Sequence, residues 1–222
     1  MDIKPLAVYT KTLRILLKLN LALAVIALVT GLYDYHSYSN LSPDINLEET
    51  VLPSDVTVTI VSILQAILFI IVGIAFLQWI YYTNKNLHVL SNQELEFTPG
   101  WSVGWYFIPI ANLFKPYQSM KEIWRLCHKN ESVSYAIVRW WWCFWIVSSL
   151  LDRLAFKFNL RAESAQQLVA SAGITVASDV FDIILNIVAL MLVTRIGISY
   201  SNSFGEQGPA LERDPHATYP LQ

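Results

Sequence analysis

Charge is what this chain has least of. Asp, Glu, Lys and Arg together make up 14% of its 222 residues, where a soluble domain carries about a quarter. Such a chain, 55% hydrophobic, has too few polar groups for a water-facing surface of ordinary size, and a soluble globular class is set aside. Its net charge of -2 leaves no concentrated basic face for nucleic acid. The two cysteines, Cys127 and Cys143, fall in a predicted cytoplasmic segment and inside a predicted span, so no disulfide framework is expected. Signatures of catalysis are missing as well: there is no His-Glu-x-x-His helix, Gly-x-Ser-x-Gly elbow or Gly-rich phosphate loop. The four histidines, His36, His88, His128 and His216, are scattered, and Cys127 beside His128 is too little for a metal site. No enzyme, metal or cofactor is expected.

What the chain does have is a long apolar stretch that cannot be an ordinary helix. From Pro99 to Tyr117 it is rich in Trp, Phe and Ile yet interrupted by Pro99, Gly100, Gly104, Pro109 and Pro116. Each internal proline removes a backbone donor and crowds the preceding turn. In lipid, every carbonyl freed in this way needs another partner. A broken hydrophobic element over 99–116 therefore belongs in a membrane protein, where neighbouring helices cover it.

Hydropathy predicts four helical spans, at about 13–32, 56–82, 136–155 and 174–200, each near the roughly 20 residues that cross a hydrocarbon core. The fold class expected is an all-α transmembrane bundle forming a single domain over 1–200. The first span has Lys4, Lys11, Arg14 and Lys18 before or at its start but is longer than a signal-peptide core, so it reads as an uncleaved anchor. Lysine and arginine set the orientation. With both termini cytoplasmic, only Arg153, Lys157 and Arg161 lie outside, and the first outer loop, from Asp34 to Asp55, has five acidic residues and no Lys or Arg. If 99–116 crossed the membrane, Lys121, Arg125 and Lys129 would move outside and the bias would nearly vanish. A re-entrant or interfacial placement of that element is expected.

The next stretch, 116–130, places Tyr117, Met120, Ile123, Trp124 and Cys127 at helical spacing, with Lys121, Arg125, His128 and Lys129 on the polar side. This amphipathic helix either lies on anionic lipid at the cytoplasmic surface or packs on the cytoplasmic end of the bundle. Trp140, Trp141, Trp142 and Trp145 suit an interfacial aromatic belt. The tail, 201–222, is polar and without apolar period, and is expected to be flexible.

Polar residues inside the spans supply the candidate site. Thr175, Asp179, Asp182, Asn186 and Ala189 share one face of the last span. Carboxylates at the centre of a bilayer cost about 2.5–3.5 kcal/mol on insertion scales and so face the bundle or water. On the third span Arg139, Cys143, Ile146, Leu150 and Arg153 form one face, which makes Arg153 a candidate partner for Asp179 or Asp182. Asn20, Ala24, Ala27 and Gly31 form a stripe on the first span, and Ser62, Gln65, Phe69 and Gly73 on the second; both suit close helix packing.

The run from Pro99 to Gln118, continued by Met120, Lys121, Glu122, Ile123 and Trp124 and preceded by Trp79, Asn86 and Leu87, resembles the signature of a bacterial multi-pass membrane family, domain of unknown function 4328. The usual alanine-rich stretch before the asparagine is here Tyr82-Thr83-Asn84-Lys85. The resemblance implies a bacterial inner-membrane protein without assigned activity and supplies no catalytic residues. It draws attention to Asn86 and Asn112, which flank the broken element and are expected to satisfy its open backbone groups.

Two functions fit these features. One is a non-enzymatic membrane component that binds lipid, anionic lipid included, another membrane protein or a second copy of itself. The other is a translocator of protons, ions or small solutes through Asp182, Asp179 and Arg153.

Overall fold

The computed structural model describes residues 5–41, 53–91, 93–128, 134–159 and 164–205, apart from the side chains at 53–55. Its described residues form six α-helices: α1 (Leu6–Ser39), α2 (Pro53–Leu90), α3 (Pro99–Gly104), α4 (Lys115–Cys127), α5 (Ala136–Asn159) and α6 (Ala165–Phe204). Two short 3-10 turns, Trp105–Phe107 and Ala111–Leu113, join α3 to α4. Proline does most of the punctuation. Pro5, Pro53, Pro99 and Pro116 stand at the starts of α1, α2, α3 and α4, where a missing N–H costs nothing. Pro109 separates the two 3-10 turns.

Three helices, α1, α2 from Val56 and α6, are long and apolar enough to cross a membrane. All three outrun the predicted spans. With 34, 38 and 40 residues they reach roughly 50–60 Å at 1.5 Å per residue, because hydropathy registers only the apolar middle of a helix that continues into polar residues. α5 has 24 residues but carries Arg139, Asp152, Arg153 and Lys157.

The chain divides into two compact units. The first gathers the described parts of Met1–Ile15, Gly73–Arg139 and Met191–Gln222. Its core is built from Leu6 and Leu13, Trp79, Ile80 and Leu87, Met120, Ile123 and Trp124, and Leu192, Val193 and Ile196, all buried. Polar bonds join the helices there. The Trp79 indole N–H donates to Thr10 Oγ1 at 3.0 Å, and Asn86 Nδ2 donates to Tyr200 Oη at 3.1 Å. α6 passes close to α1 at Gly197, where a Cβ would fall 2.8 Å from Thr10 Cγ2. The end of α4 is tied to α6: Ser203 Oγ donates to the Cys127 carbonyl at 2.9 Å, and Ser199 Oγ lies 2.8 Å from His128 Nε2. Both cysteines are free, and burial pushes the Cys127 thiol well above its usual range.

The second unit gathers the described parts of Leu16–Val72 and Trp140–Leu190, and is a bundle of segments from α1, α2, α5 and α6. Of the stripe predicted on α1, Ala24, Ala27 and Gly31 are buried and Asn20 is half-buried; Leu17 extends it.

Three expectations need correction. Asp34 is not a loop residue: α1 continues to Ser39 and turns the Asp34 side chain inward, 7% exposed. The stripe on α2 does not form a packed face, since Ser62 and Phe69 are exposed and Gln65 and Gly73 only half-buried. Only 11% of the most apolar window of α2 is buried, because lipid suits Phe and Ile as well as a core does. Residues 201–204 belong to α6, anchored by the buried Phe204 ring and the Ser203 hydrogen bond; residues 206–222 of the expected flexible tail lie outside the described residues.

Candidate functional site

Within the second unit, α5 and α6 exchange serine and aspartate. Ser148 on α5 donates to the Asp182 carboxylate on α6, and Ser178 on α6 donates to the Asp152 carboxylate on α5. In each helix the serine precedes the aspartate by four residues, so both lie on one helical face. Two antiparallel segments with that same pattern meet with every hydroxyl opposite a carboxylate. Ser148 gives the half-buried Asp182 a hydrogen bond that offsets its partial loss of water, and Ser178 pairs in the same way with Asp152 at the exposed side.

Asp179, one turn from Asp182, is buried and hydrogen-bonded by Gln65 of α2. Its Oδ2 lies against Gly31 of α1, where a Cβ would come within 3.3 Å. Asn186 completes the face. It accepts from Asn20 Nδ2 at 2.8 Å and donates its own Nδ2 to the Asp182 carbonyl at 2.8 Å. Asp152, Asp179 and Asp182 lie within electrostatic reach of one another. No three His, Cys, Asp or Glu side chains among the described residues are arranged to hold a metal ion. Beside this network, toward the Tyr38 end of α1, a cavity of about 390 Å³ opens between α1, α2, α5 and α6.

The inward face predicted for α6 is thus brought together, with Asp179, Asp182 and Asn186 in one network. The face predicted for α5 is not. Arg139, Cys143, Leu150 and Arg153 are exposed, and among the described residues Arg153 forms no ion pair with Asp179 or Asp182; the ion pair found there is Lys115 with Glu96, at 3.9 Å. Buried instead are Val138, Trp141, Trp142, Ser148 and Ala155, while Asp152, exposed beside them, reaches α6 through its carboxylate. The physical reason lies in the length of arginine, which reaches interfacial water from a lipid-facing position near a helix end. Sequence reasoning missed Ser148, Asp152 and Ser178. The available signal was the repeated Ser-x-x-x-Asp spacing.

In the first unit, Thr98, Ser102 and Glu122 hold the broken element. The Thr98 hydroxyl caps α3 by accepting from the Trp101 N–H at 3.4 Å, and Ser102 Oγ donates to the Pro99 carbonyl at 2.7 Å. Glu122, buried on α4, accepts from the backbone N–H of Glu96 at 2.7 Å and of Phe97 at 3.3 Å. Asn86 Nδ2 donates to Tyr200 Oη. Asn112 closes a turn through its own backbone N–H to the Ile108 carbonyl at 2.7 Å, and its Oδ1 is buried without a hydrogen-bond partner. The apolar face of α4, with Met120, Ile123, Trp124 and Cys127, is buried in protein. This face of the helix packs within the first unit. Lys121 and Arg125 are exposed, with Lys121 Nζ 4.8 Å from the centre of the Tyr135 ring; Lys129 lies outside the described residues. The broken element also carries exposed apolar surface, where Phe107 is 72% and Ile110 77% exposed.

No curated protein and no solved structure matches this chain. A family model does, and it covers both the Ser/Asp exchange and the broken element: residues 45–197, more than half of the chain, match the domain of unknown function DUF4328, and the protein belongs to that family.

Proposed function

We propose that this protein is a non-enzymatic, lipid-binding component of a bacterial cytoplasmic membrane, with four spans, both termini cytoplasmic and the broken element embedded in the cytoplasmic leaflet. One observation carries the reading. The broken element presents Trp101, Phe107, Ile110, Leu113 and Phe114 outward, on a segment whose longest helix, α3, has six residues. Six residues reach about 9 Å, far less than a bilayer core, so an apolar crown of this size suits insertion from one side. The exposed Lys121 and Arg125 on α4 supply charge for anionic headgroups.

A crossing by α5 supports the four-span count. Its 24 residues extend about 36 Å, and the exposed Arg139, Arg153 and Lys157 lie toward its ends, where long side chains reach the interface. Lipid is the partner favoured here; association with a second membrane protein or a second copy would use the same outward apolar surfaces.

An environment-sensitive fluorophore on Ile110→Cys, in a Cys143→Ser background and in nanodiscs, tests the insertion. Quenching by lipids brominated high on the acyl chain, together with co-purification of anionic phospholipid that weakens in Lys121→Glu/Arg125→Glu, is the expected result. A water-like emission that brominated lipid leaves unchanged would overturn the reading.

A further inference from the structure

We propose that the cavity in the second unit is a binding site for a small organic ammonium ion. Its volume of about 390 Å³ lies within the range of small-molecule pockets, roughly 300–1,000 Å³, and far exceeds that of a bare inorganic ion. The lining is mixed. Asp34 supplies a carboxylate, and Tyr38 and Phe156 supply aromatic rings, the two kinds of group that attract alkylammonium cations, by charge and through the ring quadrupole. Leu168 and Ala172 add apolar wall, and no lysine or arginine is found among the described lining residues.

Ser171 points to a ligand independently of the charge. Its side chain is 2% exposed, it lines the cavity, and its hydroxyl has no hydrogen-bond partner. A helical serine usually returns its hydroxyl to a carbonyl one turn back. This one does not, while its own carbonyl is taken by the Thr175 hydroxyl at 3.1 Å. A buried hydroxyl without a partner is costly, and a ligand carrying a hydroxyl or ester oxygen beside its ammonium would meet it. Both a free amino alcohol and a phospholipid headgroup have that chemistry. The site is separate from the apolar crown of the first unit, so it stands or falls independently of lipid insertion there.

The test uses the full-length protein in phosphatidylglycerol nanodiscs, titrated with choline chloride and followed by thermal unfolding and calorimetry. Saturable binding and a raised Tm are expected with choline, and neither with its neutral isostere 3,3-dimethylbutan-1-ol nor with sodium chloride at equal ionic strength. Asp34→Asn should weaken choline binding by about tenfold or more, as loss of a charge-assisted contact predicts. Ala172→Leu, which extends into the cavity without removing charge, should abolish binding while the Tm without ligand holds; it decides the matter if Asp34→Asn fails to fold. Adding phosphatidylethanolamine to the discs separates the sources: choline affinity falls by competition if the ligand is a headgroup and is unchanged if it is a free solute, and either result supports an ammonium site. Equal effects of choline and its neutral isostere, no saturable choline binding, or full binding in a folded Ala172→Leu variant would overturn the proposal.

Discussion

Ser148 on α5 hydrogen-bonds the Asp182 carboxylate on α6, and four residues further along α5 and four residues back on α6 the roles reverse, with Ser178 donating to Asp152. The exchange joins two helices by paired donors and acceptors without any cation. Interhelical hydrogen bonds in membranes average about 0.6 kcal/mol, with a maximum of about 1.7. Ser148→Ala and Ser178→Ala should therefore each lower stability by about 0.5–2 kcal/mol. A swap gives a sharper check. Ser148→Asp alone sets two carboxylates against each other and should destabilise more than Ser148→Ala; adding Asp182→Ser restores one donor opposite one acceptor and should recover most of the loss in thermal unfolding. Additive losses in the double variant would show that the two residues do not act as a pair.

Arg153 gives the complementary expectation. Because it lies on the exposed face of α5 and forms no ion pair with the aspartates of α6 among the described residues, Arg153→Gln should change stability by less than about 0.5 kcal/mol, as surface substitutions do. Combined with Asp182→Asn it should give no rescue. Recovery of stability in the double variant, measured by unfolding in the same detergent, would restore the salt bridge that the sequence suggests.

These two cases also show what a membrane sequence reveals. The inward face of α6 was legible because Asp179, Asp182 and Asn186 are expensive in lipid and share one helical face. The inward face of α5 was not, since its outer surface is as apolar as its core and the arginines lie near its ends, where their length lets them face lipid at little cost. Three of the four predicted spans were legible as helices long and apolar enough to cross a membrane, but not in length: residues beyond the apolar middle, such as Asp34 and Phe204, continue the helix through packing that hydropathy does not register. The breaks at Pro99, Pro109 and Pro116 were legible from proline chemistry alone. The role of Glu122 was not, because its two backbone partners at Glu96 and Phe97 lie more than twenty residues away with no side-chain pattern to announce them.

Glu122 is accordingly a sensitive position. Its carboxylate fastens the approach to the broken element onto α4 through two N–H donors, and hydrogen bonds to charged groups contribute about 1.5–3 kcal/mol. Glu122→Gln keeps the size but exchanges one acceptor oxygen for a donor, which faces another donor. Faster hydrogen exchange at the Glu96 and Phe97 amides is expected, along with easier proteolysis between α2 and α3. Unchanged exchange at both amides would mean that the bonds contribute nothing.

Topology is open to direct measurement. The lysine and arginine bias predicts both termini inside; on that orientation Asn202, exposed near the end of α6, should label only after the cell is permeabilised when replaced by cysteine. A cysteine at Asn46, between α1 and α2, should react in intact cells with an impermeant maleimide. The broken element adds a stricter condition. If it enters and leaves the membrane on one side, cysteines at Thr98 and at the exposed Gln118, which bracket it, should both be protected from the external reagent and both react once the membrane is opened. Reaction of Gln118→Cys alone from outside would establish an extra crossing between α2 and α4. It would also put Lys121 and Arg125 on the outer face, reverse α5 and α6, and remove the cytoplasmic leaflet as the site of the exposed Phe107 and Ile110.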